Sequence, residues 1–356
     1  MKKCNELNFK NQVFFIGIDV HSRQWTVTIR NEHLELKTFS MNPSPHELLK
    51  YMKRNYPGGL YKSVYEAGFC GFWIHRRLTE LGIENIVVNP ADIPTSNKEK
   101  DRKRDPVDSR KLARELLKGE LEGIYIPDEF HHQLRSLCRL RFQIVQNQTR
   151  VKNRIKCHLY NMGKSIPSHT EMSHWSAAFI KHLEDIEFEY LPAGEYIRLC
   201  LNELAGHHKR LLEITRSLRK LCNEYDLSET IKLLLTVPGF GFTTAVTFYA
   251  ELMDIHRFPD FSNLCSYVGL VPSVSSSDKK KIEYGLSMRR NRFLRFLIIE
   301  AAWIAVRNDP ALLYKFNYLA RRMKKQEAIV RIAKKLLRRV RYVWKNEKSY
   351  VKGVVE

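Results

Sequence analysis

No CxxC pair occurs among the seven cysteines (Cys4, Cys70, Cys138, Cys157, Cys200, Cys222, Cys265), which are odd in number and irregularly spaced. That pattern supports neither a disulfide framework nor a zinc ribbon, and the thiols are expected to be free or buried in a reducing compartment. No run approaches the ~20 apolar residues of a membrane span. The opening MKKCNELNFKNQ lacks the apolar core of a secretion signal. A soluble, intracellular protein is the expectation. Acidic residues are also in short supply, 39 Asp and Glu against 60 Lys and Arg, for a formal net charge of +21. Such an excess of cations points to a polyanionic partner, most simply nucleic acid. An anionic membrane fits less well, because no basic segment carries a long apolar face. With 356 residues and an ordinary hydrophobic fraction of 44%, the chain has room for two or three domains with real cores.

The chain is organised around Val13–Arg30. Val13 to Ile18 is apolar and runs into a single acid, Asp19; Trp25 to Ile29 follows after a polar link through His21, Ser22 and Arg23. β-Branched and aromatic residues so arranged predict two strands of a hairpin, the first covered on both faces. A carboxylate joined to so apolar a strand is costly to bury without a compensating cation, so Asp19 is a candidate metal ligand. Beyond it the pattern is mixed α/β up to Pro127. A helix is expected from Ser44–Pro45 to Asn55, a strand from Tyr61 into Glu66, and a helix over Phe72–Leu81 closed by Gly82. A strand at Asn85–Val88 and a helix over Asp105–Leu117 follow, separated by the charged loop Thr95–Arg104. Asp105 and Asp108 are three apart and share a helix face. Taken singly each acid has an ordinary structural use. Together, on an early strand, a later strand end and a helix, Asp19, Glu66, Asp105 and Asp108 can converge as a ribonuclease-H-like fold converges its two-metal site. Oxygen-only donors suit Mg²⁺, with Mn²⁺ as the other candidate. Lys98, Lys100, Arg102, Lys103 and Arg104 precede the last pair and would suit a phosphate backbone.

From Pro127 to about Glu224 the pattern becomes helical. His131–Tyr160 has no Pro or Gly and repeats Leu134, Leu137, Leu140, Ile144, Val151, Ile155 and Leu159 at helical spacing. Tyr196–Tyr225 supplies a partner stripe, with Gly163–Gly194 as an irregular link, and an antiparallel helical hairpin is expected. From Leu227 onward a third region carries a PGxG turn (Pro238–Gly241) leading into a helix over Thr243–Leu252; such a turn can hold a phosphate on its backbone N–H groups. Further on, a serine cluster, Ser273 and Ser275–Ser277, precedes Lys279, Lys280 and Lys281, and Arg289, Arg290 and Arg292 open the next helical stretch. By composition the serine run reads as a linker. Between predicted core segments and flanked by cations, it is also a place for a nucleophilic serine in phosphodiester chemistry. A final helix, Ala328–Val343, carries many Lys and Arg.

The ordered set of motifs resembles a known family. GIDVH, YEAG, NP and KRDPVDSRKLA, then LLTVPGFGFTTA, FSNLCSYVGLVP, SSS, NRFLR with AAWIAVRNDP, and AIVRIAKKLLRR together resemble the DEDD-type insertion-sequence transposases, serine recombinases guided by a bridge RNA. The resemblance runs from about Val13 to Tyr350. It implies an α/β plus all-α architecture: an RNase-H-like (RuvC-like) domain over 1–127, a helical coiled-coil connector over 128–226 and a mainly helical C-terminal transposase domain over 227–356. It implies that Asp19, Glu66, Asp105 and Asp108 are the metal ligands and that Ser277 attacks DNA to form a phosphoserine link. Asp278 stands where the family has glycine, which leaves Ser276 as the alternative nucleophile, and the Ser287–Asn291 stretch lacks the family's glycine. Donor and target DNA, a structured non-coding guide RNA and a homodimer or homotetramer would be the partners, in the cytoplasm of a bacterium or archaeon and associated with the nucleoid. A RuvC-like metal-dependent endonuclease or junction resolvase without a serine nucleophile, or a non-catalytic nucleic-acid scaffold, are the competing readings of the same residues.

Overall fold

The apolar run that organises the sequence forms β1 (Val13–Val20) of the computed structural model, which describes residues 8–94, 105–277 and 280–352. β1 pairs antiparallel with β2 (Trp25–Arg30), as the hairpin pattern requires. A strand beyond those expected from the sequence, β3 (Glu35–Met41), extends the sheet on that side. On the other side β1 pairs parallel with β4 (Leu60–Glu66), and β4 with β5 (Glu84–Val88), so the order is β3-β2-β1-β4-β5. Between strands lie α1 (Pro45–Asn55) and α2 (Trp73–Glu80). Ser44 caps α1 by accepting from the Glu47 N–H at 3.3 Å, with Pro45 at the first helical position, as expected. The charged loop Thr95–Arg104, with Lys98, Lys100, Arg102, Lys103 and Arg104, lies outside the described residues.

Alternation along β1 divides the sheet into two faces. Phe14, Ile16 and Ile18 turn to one side with Trp25, Val27 and Ile29, and join Leu48 and Met52 of α1 and Ile74 and Leu78 of α2 in one core. The opposite side carries Gly17, Val64 and Val88, and is covered by α3 (Asp105–Lys118), whose Leu112 joins Val64 and Val88. A Cβ on Gly17 would stand 2.1 Å from the Ser109 carbonyl oxygen and 2.5 Å from the Ala113 nitrogen. Only glycine lets α3 lie so close on the strand.

The chain divides into two compact units, Met1–Ile126 and Pro127–Glu356. The second opens with α4 (Glu129–Asn161), which pairs with α6 (Leu191–Glu224). Arg154 meets Glu203 at 2.6 Å and Arg141 reaches Thr215 at 3.3 Å, so the two helices run antiparallel. The link between them is not wholly irregular: α5 (Ala177–Glu184), capped by Ser176, packs Phe179 and Leu183 into a small core with Val151, Ile155, Leu159, Ile197 and Leu201. At the other end of the pair, Leu134, Cys138, Leu218 and Cys222 belong to a larger core shared with the rest of the unit. That part comprises α7 (Ser228–Leu235), α8 (Phe242–Leu252), α9 (Phe261–Val268), the strands β6 (Pro272–Ser277) and β7 (Lys280–Leu286), and α10 (Arg292–Asn308), α11 (Pro310–Ala320) and α12 (Lys325–Lys345).

One expectation changes here. The serine run, a linker by composition, is a strand: β6 pairs antiparallel with β7, Ser276 opposite Lys281 and Ser277 opposite Lys280. The ladder that orders it belongs to both strands, so serine content alone could not reveal it. The PGxG turn packs closely on α10: Gly239, at φ +85°, has its Cα where a Cβ would stand 2.1 Å from the Ala301 carbonyl oxygen.

Candidate active site

Asp19 is the seventh residue of β1 and Glu66 the last of β4. The two strands are parallel neighbours with Ile18 opposite Tyr65, so one step further the two acids emerge side by side at the C-terminal edge of the sheet. By alternation both leave on the Gly17 and Val64 side, the side on which α3 lies. Asp19 is not sealed in the core, as its apolar strand suggested. Its side chain keeps 20% exposure, because the strand end opens to solvent, and both it and Glu66 are half-buried. Asp108 is half-buried on the first turns of α3. Its neighbour Ser109 is fully buried and its hydroxyl lies 2.9 Å from that of Thr28 on β2, which itself lies 2.9 Å from Thr38 on β3. This chain of hydroxyls, with the Gly17 contact, fixes the helix that carries Asp105 and Asp108 to the sheet that carries Asp19 and Glu66.

His21, part of the polar link between β1 and β2, adds a group to the acids. Its Nε2 is 3.4 Å from Asp19 Oδ2, an ion pair whenever the imidazole is protonated. Its position two residues after the strand-end acid was the available signal. Among the described residues no three His, Cys, Asp or Glu side chains form a ready metal cluster; the Asp105 side chain lies outside the described set. The donors present are oxygens at an accessible sheet edge, and that chemistry fits a hard divalent cation.

The second candidate region lies in the other unit. The side chains of Ser276, Ser277, Lys280 and Lys281 lie outside the described set, as does all of Lys279, but the backbone register sets both serines opposite lysines. After β7, Arg289 and Arg290 are exposed. Arg292 opens α10 with its guanidinium 5.1 Å from the Phe293 ring centroid. Asn291 caps that helix through the N–H groups of Phe293 and Leu294, and its amide donates at 2.7 Å to Glu251.

Glu251 is the residue here that sequence reasoning missed. It is 0% exposed, the single charge in α8, and the Arg139 guanidinium holds both its oxygens, at 2.6 and 2.9 Å. Arg135 approaches at 3.5 Å and also donates to the carbonyl oxygens of Ala250 and Glu251. An acid inside an otherwise apolar helix was the sign of it, since a buried charge is kept only with partners. The network ties α4 and α8 to the N-cap of α10, with Arg289 and Arg290 just before that helix and Arg292 at its first position.

Comparison with known proteins gives this arrangement its class. Residues 16–163, from β1 to just past α4, match a family model of transposases of the DEDD, IS110 type, and residues 231–316 match one described as the transposase IS116/IS110/IS902 family. The protein y4rJ of Sinorhizobium fredii, named as a transposase, is 30% identical over 300 residues, covering 77% of this chain and 74% of that protein. A second Sinorhizobium fredii protein so named, y4qE, is 28% identical over 241 residues, 67% of this chain and 57% of its own length. The transposase for insertion sequence element IS1111A of Coxiella burnetii is 24% identical over 247 residues, 69% of this chain and 66% of its own. The chain therefore spans between about half and three quarters of these relatives. It belongs to the IS110/IS116/IS902 family of transposases. No helix among the described residues is long and apolar enough to cross a membrane.

Proposed function

We propose that this chain is the transposase of an insertion sequence, a DNA recombinase in which an RNase-H-like (RuvC-like) acidic site works with a serine nucleophile. The observation that carries the reading is the pair Asp19 and Glu66, at the C-terminal ends of adjacent parallel strands and on the side covered by the helix of Asp105 and Asp108. The sheet order, three antiparallel strands continued by two parallel ones, supports the RNase-H-like assignment. Residues 1–127 form that domain in this reading, 128–226 the helical connector and 227–356 the domain bearing Ser277.

Asp19, Glu66, Asp105 and Asp108 are the residues that would hold Mg²⁺ or Mn²⁺, which when bound neutralises phosphate charge and lowers the barrier to displacement. The chain's own groups do the rest. The Ser277 hydroxyl oxygen bonds to phosphorus, the bond from phosphorus to the 3′ oxygen breaks, and the serine proton ends on that oxygen as a 3′-OH. The phosphoserine ester keeps the bond energy, so a 3′-OH from another strand can reverse the step and rejoin DNA without a nucleotide. Lys279, Lys280, Lys281, Arg289, Arg290 and Arg292 hold the phosphates beside the serine, and the cations of residues 98–104 those beside the acids. A guide RNA selects donor and target by base pairing, and a homodimer or homotetramer brings the two sites together.

The test is covalent trapping with end-labelled donor and target DNA, Mg²⁺ and the RNA that copurifies with the protein. Label migrating with denatured protein in wild type and in Ser276→Ala, and lost in Ser277→Ala and Asp19→Asn, is the expected result. An adduct lost only in Ser276→Ala moves the nucleophile by one residue. Free cleaved DNA with no adduct in any variant overturns the serine step and leaves a metal-dependent nuclease.

A further inference from the structure

The helix α12 has a use that neither candidate site absorbs. Ile332, Leu336, Leu337, Val340 and Val343 are buried along one side. Of its other side chains eight are Lys or Arg and one, Glu327 in the first turn, is acidic. Three of the cations are engaged in the fold: Arg339 pairs with the buried Asp309 at 3.2 Å, Arg341 donates to the carbonyl oxygens of Phe258 and Pro259, and the Arg338 guanidinium, though exposed, lies 4.7 Å from the Phe261 ring centroid. Arg331, Lys334, Lys335, Arg338 and Lys345 are exposed, and among the described residues none of them pairs with a carboxylate. At 100° per residue these five fall within an arc of about 100°, in a stripe about 21 Å long. Tyr342, 57% exposed, lies in the same arc.

An ordinary solvated helix face intersperses acids with bases at i,i+4 spacing. Here Arg331 faces Lys335 and Lys334 faces Arg338, like charges that each cost a few tenths of a kcal/mol. Burial, and then Lys315, Arg339 and Arg338 nearby, hold the Lys335 ammonium below the ordinary lysine range. No acid on α9 or α11 relieves the stripe from within those helices. A polyanion would. Duplex DNA places a phosphate every 3.4 Å of axis per strand, so the stripe runs past about six on one strand.

We propose that the exposed face of α12 is a backbone-binding surface for duplex DNA that reads charge rather than sequence. It lies beyond the stretch matched by the family model, which ends at residue 316, and the choice of DNA as occupant rests on the reading of the chain as a transposase.

The full-length protein is tested in excess EDTA with a short duplex of unrelated sequence, across a series of salt concentrations, so that no catalytic step contributes. The triple variant Lys334→Gln, Lys335→Gln, Arg338→Gln should bind more weakly and lower the slope of log affinity against log salt by about 3. The charge-matched triple Arg210→Gln, Arg216→Gln, Lys220→Gln on α6 should leave the slope unchanged, and Lys334→Arg with Lys335→Arg should retain wild-type binding. An unchanged slope in the α12 triple, or an equal loss in both triples, overturns the surface while leaving the transposase reading intact. A change seen with RNA but not with duplex DNA also overturns it. A wild-type protein that binds no duplex DNA overturns the surface, whereas the transposase reading stands or falls on the covalent-trapping test.

Discussion

Gly17 on β1 and Ser109 on α3 touch through their backbones, with 2.1 Å between the Ser109 carbonyl oxygen and the place a Cβ would occupy. Ser109 follows Asp108, so the closeness of this contact sets how far one candidate ligand stands from another. Gly17→Ala must push α3 away from the sheet. The expected cost is about 1–3 kcal/mol, read as a fall of roughly 3–10 °C in melting temperature, with DNA cleavage falling further than the loss of folded protein explains. An unchanged melting temperature would contradict the packing.

Removing one partner of a buried ion pair is costlier than replacing both. Glu251→Ala leaves the Arg139 and Arg135 guanidinium groups and the Asn291 amide facing an empty site, and should cost about 3–5 kcal/mol in urea unfolding. Adding Arg139→Met should recover part of that loss. If the double variant loses the sum of the two single costs, the network is not coupled as its geometry requires.

Glu115 gives a pH dependence whose sign can be worked out. Burial pushes its carboxyl up, but hydrogen bonds from Arg114 and Lys118 at 2.8–3.1 Å outweigh this and hold it below the ordinary value of 4.5. A folded value below the unfolded one contributes stability above pH 4.5 that is lost as pH falls through the folded value. Glu115→Gln should therefore destabilise at neutral pH and converge with wild type once the pH has fallen below the folded value. A constant difference across that range would rule out the linkage.

Thiol reactivity separates the cysteines by burial. Burial pushes the Cys138 thiol up to about 12, and raises Cys70, Cys222 and Cys265 as well. Cys200 is buried, and Cys157 is exposed. In a Cys4→Ser background, an aromatic disulfide reagent at about pH 8 should consume one thiol quickly, Cys157, and the others on unfolding. Fast reaction in Cys157→Ser would contradict the core.

The sequence carried the elements that rest on local signals. The β1–β2 hairpin, α1 behind Ser44, and α2 before Gly82 were legible because periodicity and caps are written within a few residues. β3 was not, since it is an edge strand with no fully buried position and a weak apolar pattern. α5 was hidden in a polar link because Phe179 and Leu183 gain their partners from α4 and α6. In the candidate site the acids stood out by position, whereas Glu251 and His21 are defined by what tertiary structure brings to them: two arginines from a helix more than a hundred residues earlier, and an imidazole turned back onto Asp19. Convergence of that kind leaves little trace in spacing.

The paired helices α4 and α6 are seated in two separate cores, one shared with α7 to α12 and one closed by α5. Regions with separate cores open with separate free energies. Amides around Val151–Leu159 and Ile197–Leu204 should therefore exchange with solvent hydrogen as a cooperative unit of their own, while those around Leu134–Cys138 and Leu218–Cys222 follow global unfolding. One continuous helix would then belong to two folding units, with the less stable end able to loosen while the other holds.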